Sequence, residues 1–299
     1  MVFRHVVPDA TDDVVLGVSS CDEAALTSDD SSHGSVLPFV VRRACCTYVA
    51  GTLDTHAVCI QICGSIMVEI DGARVEQLLP SRQGRVLFAY LVVHHDQSIP
   101  RPQIIEALWP TGGPEAADAA LSVLLSRLRR PLGAERLDGR GLVRLALDDA
   151  SVDLDTARES IHRAESAVVQ QQWERAWASA QSALFTARRG FLPGEDALWA
   201  DEVRRELDEL HVRALEAYGT AGLGLGGTEL AAARDAGRTL VKRAPLRESG
   251  HRLLMRALAA EGNPAEALRA YDHLRTLLRD ELGVSPSAES QSLYEHLLA

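Results

Sequence analysis

The sequence predicts a mainly α chain in two parts: a mixed α+β segment over residues 57–150, then an all-α segment over 151–299. Three observations predict this. Short apolar runs broken by Gly and Asp-Gly open the first part, and helical periodicity follows them. A second strand–turn–strand pattern closes that part, around Asp138-Gly139-Arg140-Gly141. From about residue 151 every segment has helical spacing, and the phrase Arg-Thr-Leu recurs at Arg238 and Arg275.

AVCIQIC and IMVEIDG read as two strands joined at Gly64-Ser65, and Asp71-Gly72 supplies a turn. PSRQGRVLFAYLVVHH reads as the first helix, with Ser81 as N-cap and Leu87, Phe88, Leu91 and Val92 at helical spacing. RPQIIEALW is a second helix with Ile104, Ile105, Leu108 and Trp109 inward, and PTGGP is a turn. EAADAALSVLLSRLRR is the third. Ala117, Leu121, Leu124 and Leu128 share one face, and Ala119, Ser122, Val123, Ser126 and Arg130 lie opposite. Pro131 is expected to end this helix, because the residue before a proline is pushed away from helical dihedrals. Strands, three helices and a closing hairpin in this order describe a winged helix-turn-helix.

The helical half has segments starting near Asp153, Gln171, Asp201, Thr228, Leu246, Pro264 and Pro286. The two Arg-Thr-Leu copies stand 37 residues apart, near the period of about 34 in TPR repeats. In GNPAEALRAY, Asn263 suits an N-cap, Pro264 the first helical position and Glu266 the capping-box position. A TPR-like helical repeat is the expectation for 151–299.

The 299 residues carry a net charge of −11. A chain this acidic is not a generic nucleic-acid binder, so any DNA surface must be a local basic cluster. The acidic, Ser/Gly-rich residues 1–56 predict a disordered extension, or a stretch translated from an early start codon. No signal peptide or membrane span is legible, and the five cysteines are an odd number confined to the first 63 residues. A cytoplasmic chain is expected. No nucleophile elbow, P-loop, metalloprotease motif or framed pair of carboxylates appears, so neither enzyme chemistry nor a cofactor is expected.

Other motifs are weighed against plainer roles. GLGLGG (222–227) fits G-x-G-x-x-G, but a helix precedes it where a strand is needed, so it reads as a flexible inter-helix connector. Cys59 and Cys63, with Cys45, Cys46 and His56 nearby, allow metal or redox chemistry; buried free thiols are the expectation. His94 and His95 suit capping of the first helix. Trp109, Trp173, Trp177 and Trp199 suit packing, with Trp173 and Trp177 on one helix face. FLPGEDALW (191–199) is an unusual loop expected to pack across helix ends.

The phrases RQGRVLFAYLVVH, IIEALWP, LSRLRRPLG, FLPGEDALW, LRESGHRLLMRALAAEGNPAEALRAY and RDELGVSPSAESQSLYEHLL, in this order, resemble the SARP-type bacterial transcriptional regulators. In that family an OmpR-like winged helix precedes a bacterial transcriptional activator domain. The resemblance implies promoter DNA as partner, bound through the third helix and the wing. It implies that the helical half dimerises on DNA or contacts RNA polymerase. Carried over by position, Arg127, Arg129 and Arg130 match the basic end of the recognition helix, Arg140 the wing tip and Arg82 the basic start of the first helix. Ser122 and Ser126 are short groove-side residues that let the helix sit deep. The chain departs from the family where Ala117-Asp118 and Ser122 stand in place of Arg-Asn and Gln, and Asp118 is expected to repel phosphate. A second reading makes the protein a helical sensor or scaffold whose degenerate winged helix serves protein contacts.

Overall fold

The computed structural model describes residues 58–298 apart from Arg140. β1 (Val58–Gln61) and β2 (Met67–Ile70) pair antiparallel, with Val58 opposite Ile70 and Ile60 opposite Val68. Asp71 and Gly72 both take positive φ, 50° and 80°, the geometry of the two-residue hairpin turn favoured by Asp-Gly. They return the chain as β3 (Ala73–Arg74), a short strand absent from the sequence reading. β7 (Ala150–Val152) then pairs parallel with β1, giving a four-stranded sheet of order β3-β2-β1-β7.

α1 (Ser81–Val93) buries Leu87, Phe88, Leu91 and Val92; Pro80, not Ser81 as expected, stands at its N-cap, and Ser81 is the first helical residue, its Oγ 3.4 Å from the Gly84 N–H. β4 (Ile99–Pro100) leads into α2 (Arg101–Leu108). Ile104 and Leu108 of α2 are buried, whereas Ile105 and Trp109 are only half-buried. α3 (Ala117–Leu132) buries Leu121, Leu124, Leu125, Leu128 and Leu132. The helix does not stop before Pro131 as expected. A proline this close to a helix end forfeits one backbone bond, while burial of Leu132 holds the last turn down. The stop comes at Gly133, whose N–H closes on the Arg129 carbonyl at 3.0 Å.

β5 (Leu137–Asp138) and β6 (Leu142–Leu145) form the wing, and β4 pairs on the other side of β6. Gly139 turns the wing at φ 113°, and a Cβ there would collide with the Leu142 carbonyl. No other residue fits that turn.

The helical half comprises α4 (Asp153–Val169), α5 (Trp173–Ala187), α6 (Ala200–Leu225), α7 (Leu230–Arg243), α8 (Glu248–Ala260), α9 (Pro264–Leu282) and α10 (Ala288–Leu298). From α4 to α9 each helix packs on the next, and α4 and α6, like α6 and α8, also touch. Such nearest-neighbour stacking is that of a helical repeat. Two local expectations fail. The Asn263 side chain makes no capping bond; its carbonyl instead accepts the N–H groups of Glu266 and Ala267. The GLGLGG run is mostly helix, not connector: Gly222 and Gly224 lie within α6. They are small because α5 lies over them. A Cβ on Gly224 would come within 2.2 Å of the Trp173 ring, and one on Gly222 within 2.9 Å of Trp177. Both tryptophans do face one side of α5, and Trp177 stacks on Tyr218 at 3.9 Å.

One hydrophobic core runs from Val58 through α1 and α3 into α4–α8. The FLPGEDALW loop lies where the two halves meet. Cys63 forms a β-bridge to Phe191, and the Gly64 N–H donates to the Gly190 carbonyl at 2.7 Å. Trp199 stands edge-on to both Tyr90 of α1 and Phe191. Asp153, the first residue of α4, accepts the backbone N–H groups of Ile62 and Cys63 at 2.9 and 3.1 Å. It also pairs with Arg189 at 2.9 Å, and Arg189 donates to Gln61. No described helix is long and apolar enough to cross a membrane.

Candidate nucleic-acid interface

Leucine burial on one side of α3 leaves a wide arc outside. Asp118, Ser122, Ser126 and Arg130 form one exposed row at four-residue spacing, and Ala119, Val123 and Arg127 form the next. Val123 is 49% exposed, although it is a β-branched apolar residue. Among the described residues no carboxylate pairs with Arg127 or Arg130, so both guanidinium groups keep their donors for an outside ligand. Four of the predicted site residues, Ser122, Ser126, Arg127 and Arg130, therefore do share one surface.

Of the other three, Arg129 and Arg82 part from it. Arg129 turns under the helix. Its Nε donates to the Leu137 carbonyl at 3.0 Å and its Nη2 to the Gly139 carbonyl at 3.2 Å. It fixes the wing to α3, so its role is positioning. Arg82 is exposed on α1, but its Nε donates to Glu195 of the 191–199 loop at 2.5 Å. That partner holds the Arg82 pKa above its usual value. Arg85 stands 3.9 Å from the same carboxylate. Arg140 lies outside the described residues, as do Cys45, Cys46 and His56.

Arg101, at the start of α2, was not singled out from the sequence. Its side chain is 14% exposed, and its Nε reaches Asp118 Oδ1 at 2.7 Å. Its Nη2 donates to the Asp118 carbonyl at 2.9 Å and to Ser122 Oγ at 2.7 Å. Ser122 in turn donates back to the Asp118 carbonyl. The carboxylate expected to repel phosphate is thus neutralised where it stands. Only Pro102 and the helix start at residue 101 hint at Arg101 in the sequence. Beyond α3, Arg144 of β6 is exposed on the wing beside Leu142, itself 55% exposed. A polar cleft of about 500 Å³, lined by Arg101, Asp118, Ser122, Arg129, Asp138 and Gly139, opens between α3 and the wing.

Cys59 and Cys63 are both buried, and burial pushes the Cys63 thiol far up, helped by the Asp153 charge. No cluster of three or more metal-ligating side chains occurs among the described residues. His94 Nδ1 meets the Tyr90 carbonyl at 2.8 Å, as a cap should, but His95 pairs with Asp155 of α4 at 3.0 Å instead.

Residues 152–298 match the family model of the bacterial transcriptional activator domain. The chain is 32% identical to the regulatory protein AfsR of Streptomyces coelicolor over 220 residues, 73% of this chain but 22% of that protein. It is 27% identical to the regulatory protein DnrI of Streptomyces peucetius over 262 residues, 80% of this chain and 91% of that one. Residues 152–298 thus carry the bacterial transcriptional activator domain, and the chain as a whole is similar to SARP-type bacterial regulators. In fold it is similar to Mycobacterium tuberculosis EmbR, solved in complex with a low affinity phosphopeptide, at a TM-score of 0.72 and 24% identity. That match covers 81% of this chain and 65% of the EmbR chain. The chain spans about a fifth of the length of AfsR, the first relative it matches.

Proposed function

We propose that this protein regulates transcription by docking the exposed arc of α3 in the major groove of promoter DNA, with the wing beside it. The observation that carries the reading is the pair of arginines on that arc, Arg127 and Arg130, which have no carboxylate partner among the described residues, with Asp118 cancelled by Arg101 at its other end. A helix of this diameter fits the major groove. Arginine forks hold phosphate or guanine, and the short Ser122 and Ser126 let the backbone come close. The segment over 57–150 is near neutral, so a single copy binds modestly and two copies on a repeated half-site supply the remaining affinity. The helical half serves that pairing or contact with polymerase.

Selection from random duplex DNA with the full chain tests this reading. An enriched sequence, recovered as a repeated half-site, is the expected result. No enrichment, together with binding that is equal on all duplexes, favours the scaffold alternative.

A further inference from the structure

The first turn of α3 carries a carboxylate where a docked recognition helix meets base edges. Resting on that docking, we propose that Asp118 is a base-reading residue that selects cytosine, and that Arg101 is the positioning residue that makes this possible.

The geometry supports both roles. The Asp118 side chain is 69% exposed, and Arg101 beneath it is 14% exposed. Arg101 occupies Oδ1 and the Asp118 carbonyl, while Oδ2 has no donor among the described residues. The guanidinium thus cancels the charge that would repel phosphate and fixes the plane of the carboxylate, leaving one oxygen outward as an acceptor. A carboxylate only accepts hydrogen bonds. In the major groove guanine offers two acceptors and thymine an acceptor and a methyl, so both reject it. Adenine offers its N6 donor with the N7 acceptor beside it, whose lone pair repels the outward oxygen. Cytosine offers its N4 amine alone. Ser122 has no donor left for a base, since its hydroxyl hydrogen goes to the Asp118 carbonyl, and Arg101 takes one of its two lone pairs.

The test is selection from random duplexes with the full wild-type chain and with Asp118→Ala, Asp118→Asn and Arg101→Met. The wild type enriches a motif with one invariant cytosine per half-site, and replacing that cytosine weakens binding by about tenfold or more. Asp118→Ala and Arg101→Met leave the rest of the motif and make that position degenerate. Asp118→Asn converts it to adenine, which asparagine reads through N6 and N7. The same motif from all four proteins overturns the proposal while leaving DNA docking intact. Tighter binding by Asp118→Ala on an unchanged motif also overturns it, since Asp118 would then act only by repulsion. If the wild type enriches nothing, the docking reading fails and this proposal with it.

Discussion

Adjacent arginines in α3 have opposite fates, and burial decides which. Arg129 is half-buried and feeds two wing carbonyls, whereas Arg130 stands in solvent. Arg129→Ala should therefore lower stability by about 1–3 kcal/mol, since two carbonyls lose charge-assisted donors. It should leave the salt dependence of DNA binding near wild type. Denaturant melts and salt titrations on the same variant check both halves of that statement. The sequence carried the charge of Arg127, Arg129 and Arg130 but not this division, because the carbonyls that capture Arg129 belong to a wing whose tertiary position no local pattern encodes. A second residue-scale effect concerns His211, 5% exposed in α6. Burial, aided by Arg243 and Arg188, pushes its pKa from 6.5 down to about 4. The fold holds the imidazole neutral, so the unfolded chain binds its proton first as pH falls. The stability tied to His211 is full above about pH 6.5 and drains away towards pH 4, by at most about 3 kcal/mol. His211→Leu should flatten that part of the pH–stability curve, measured by urea midpoints between pH 7 and 4.5.

Among the elements, the helices were the most legible. Their starts in the helical half follow from apolar spacing, and the strand–helix–wing order follows from Gly and Asp-Gly turns. What escaped notice were two-residue strands such as β3 and β4, which exist only because a longer partner pairs with them. The glycine run in α6 escaped for the same reason. Its meaning lies in Trp173 and Trp177 of α5, about fifty residues away. Replacing a helix-interior glycine by alanine normally gains up to about 1 kcal/mol. Here Gly224→Ala should destabilise instead, by about 1–3 kcal/mol, because a rigid indole occupies the space. A melting temperature a few degrees below wild type is the expected reading, and a rise would show that α5 yields freely. Pro131 teaches the converse: a local rule predicted a stop, and the burial of Leu132 outweighed it.

Across the whole molecule, the winged part and the helical part share a core and a buried polar junction. Arg82, read from the sequence as a DNA contact, is drawn to Glu195, 113 residues away, by that arrangement. Burial lifts the Asp153 carboxyl above its usual range, while the backbone N–H groups of Ile62, Cys63 and Leu154 and the Arg189 charge pull it back. The carboxylate is thus costly to bury but fully engaged. Asp153→Ala, which takes the carboxylate from the half-buried Arg189 and leaves the Ile62 and Cys63 N–H groups without their acceptor, should cost about 3–5 kcal/mol. It should also split the single unfolding transition expected of the wild type into two, seen by calorimetry. A rigid junction of this kind sets the orientation of α3 relative to whatever the helical half holds, so docking geometry is a property of the full chain. The central claim, that the arc of α3 meets DNA through Arg127 and Arg130, is tested most directly by the slope of log K against log salt for the full chain and its Arg127→Ala/Arg130→Ala double variant. Loss of two phosphate contacts should reduce that slope by roughly 1.8; an unchanged slope and affinity would contradict the claim.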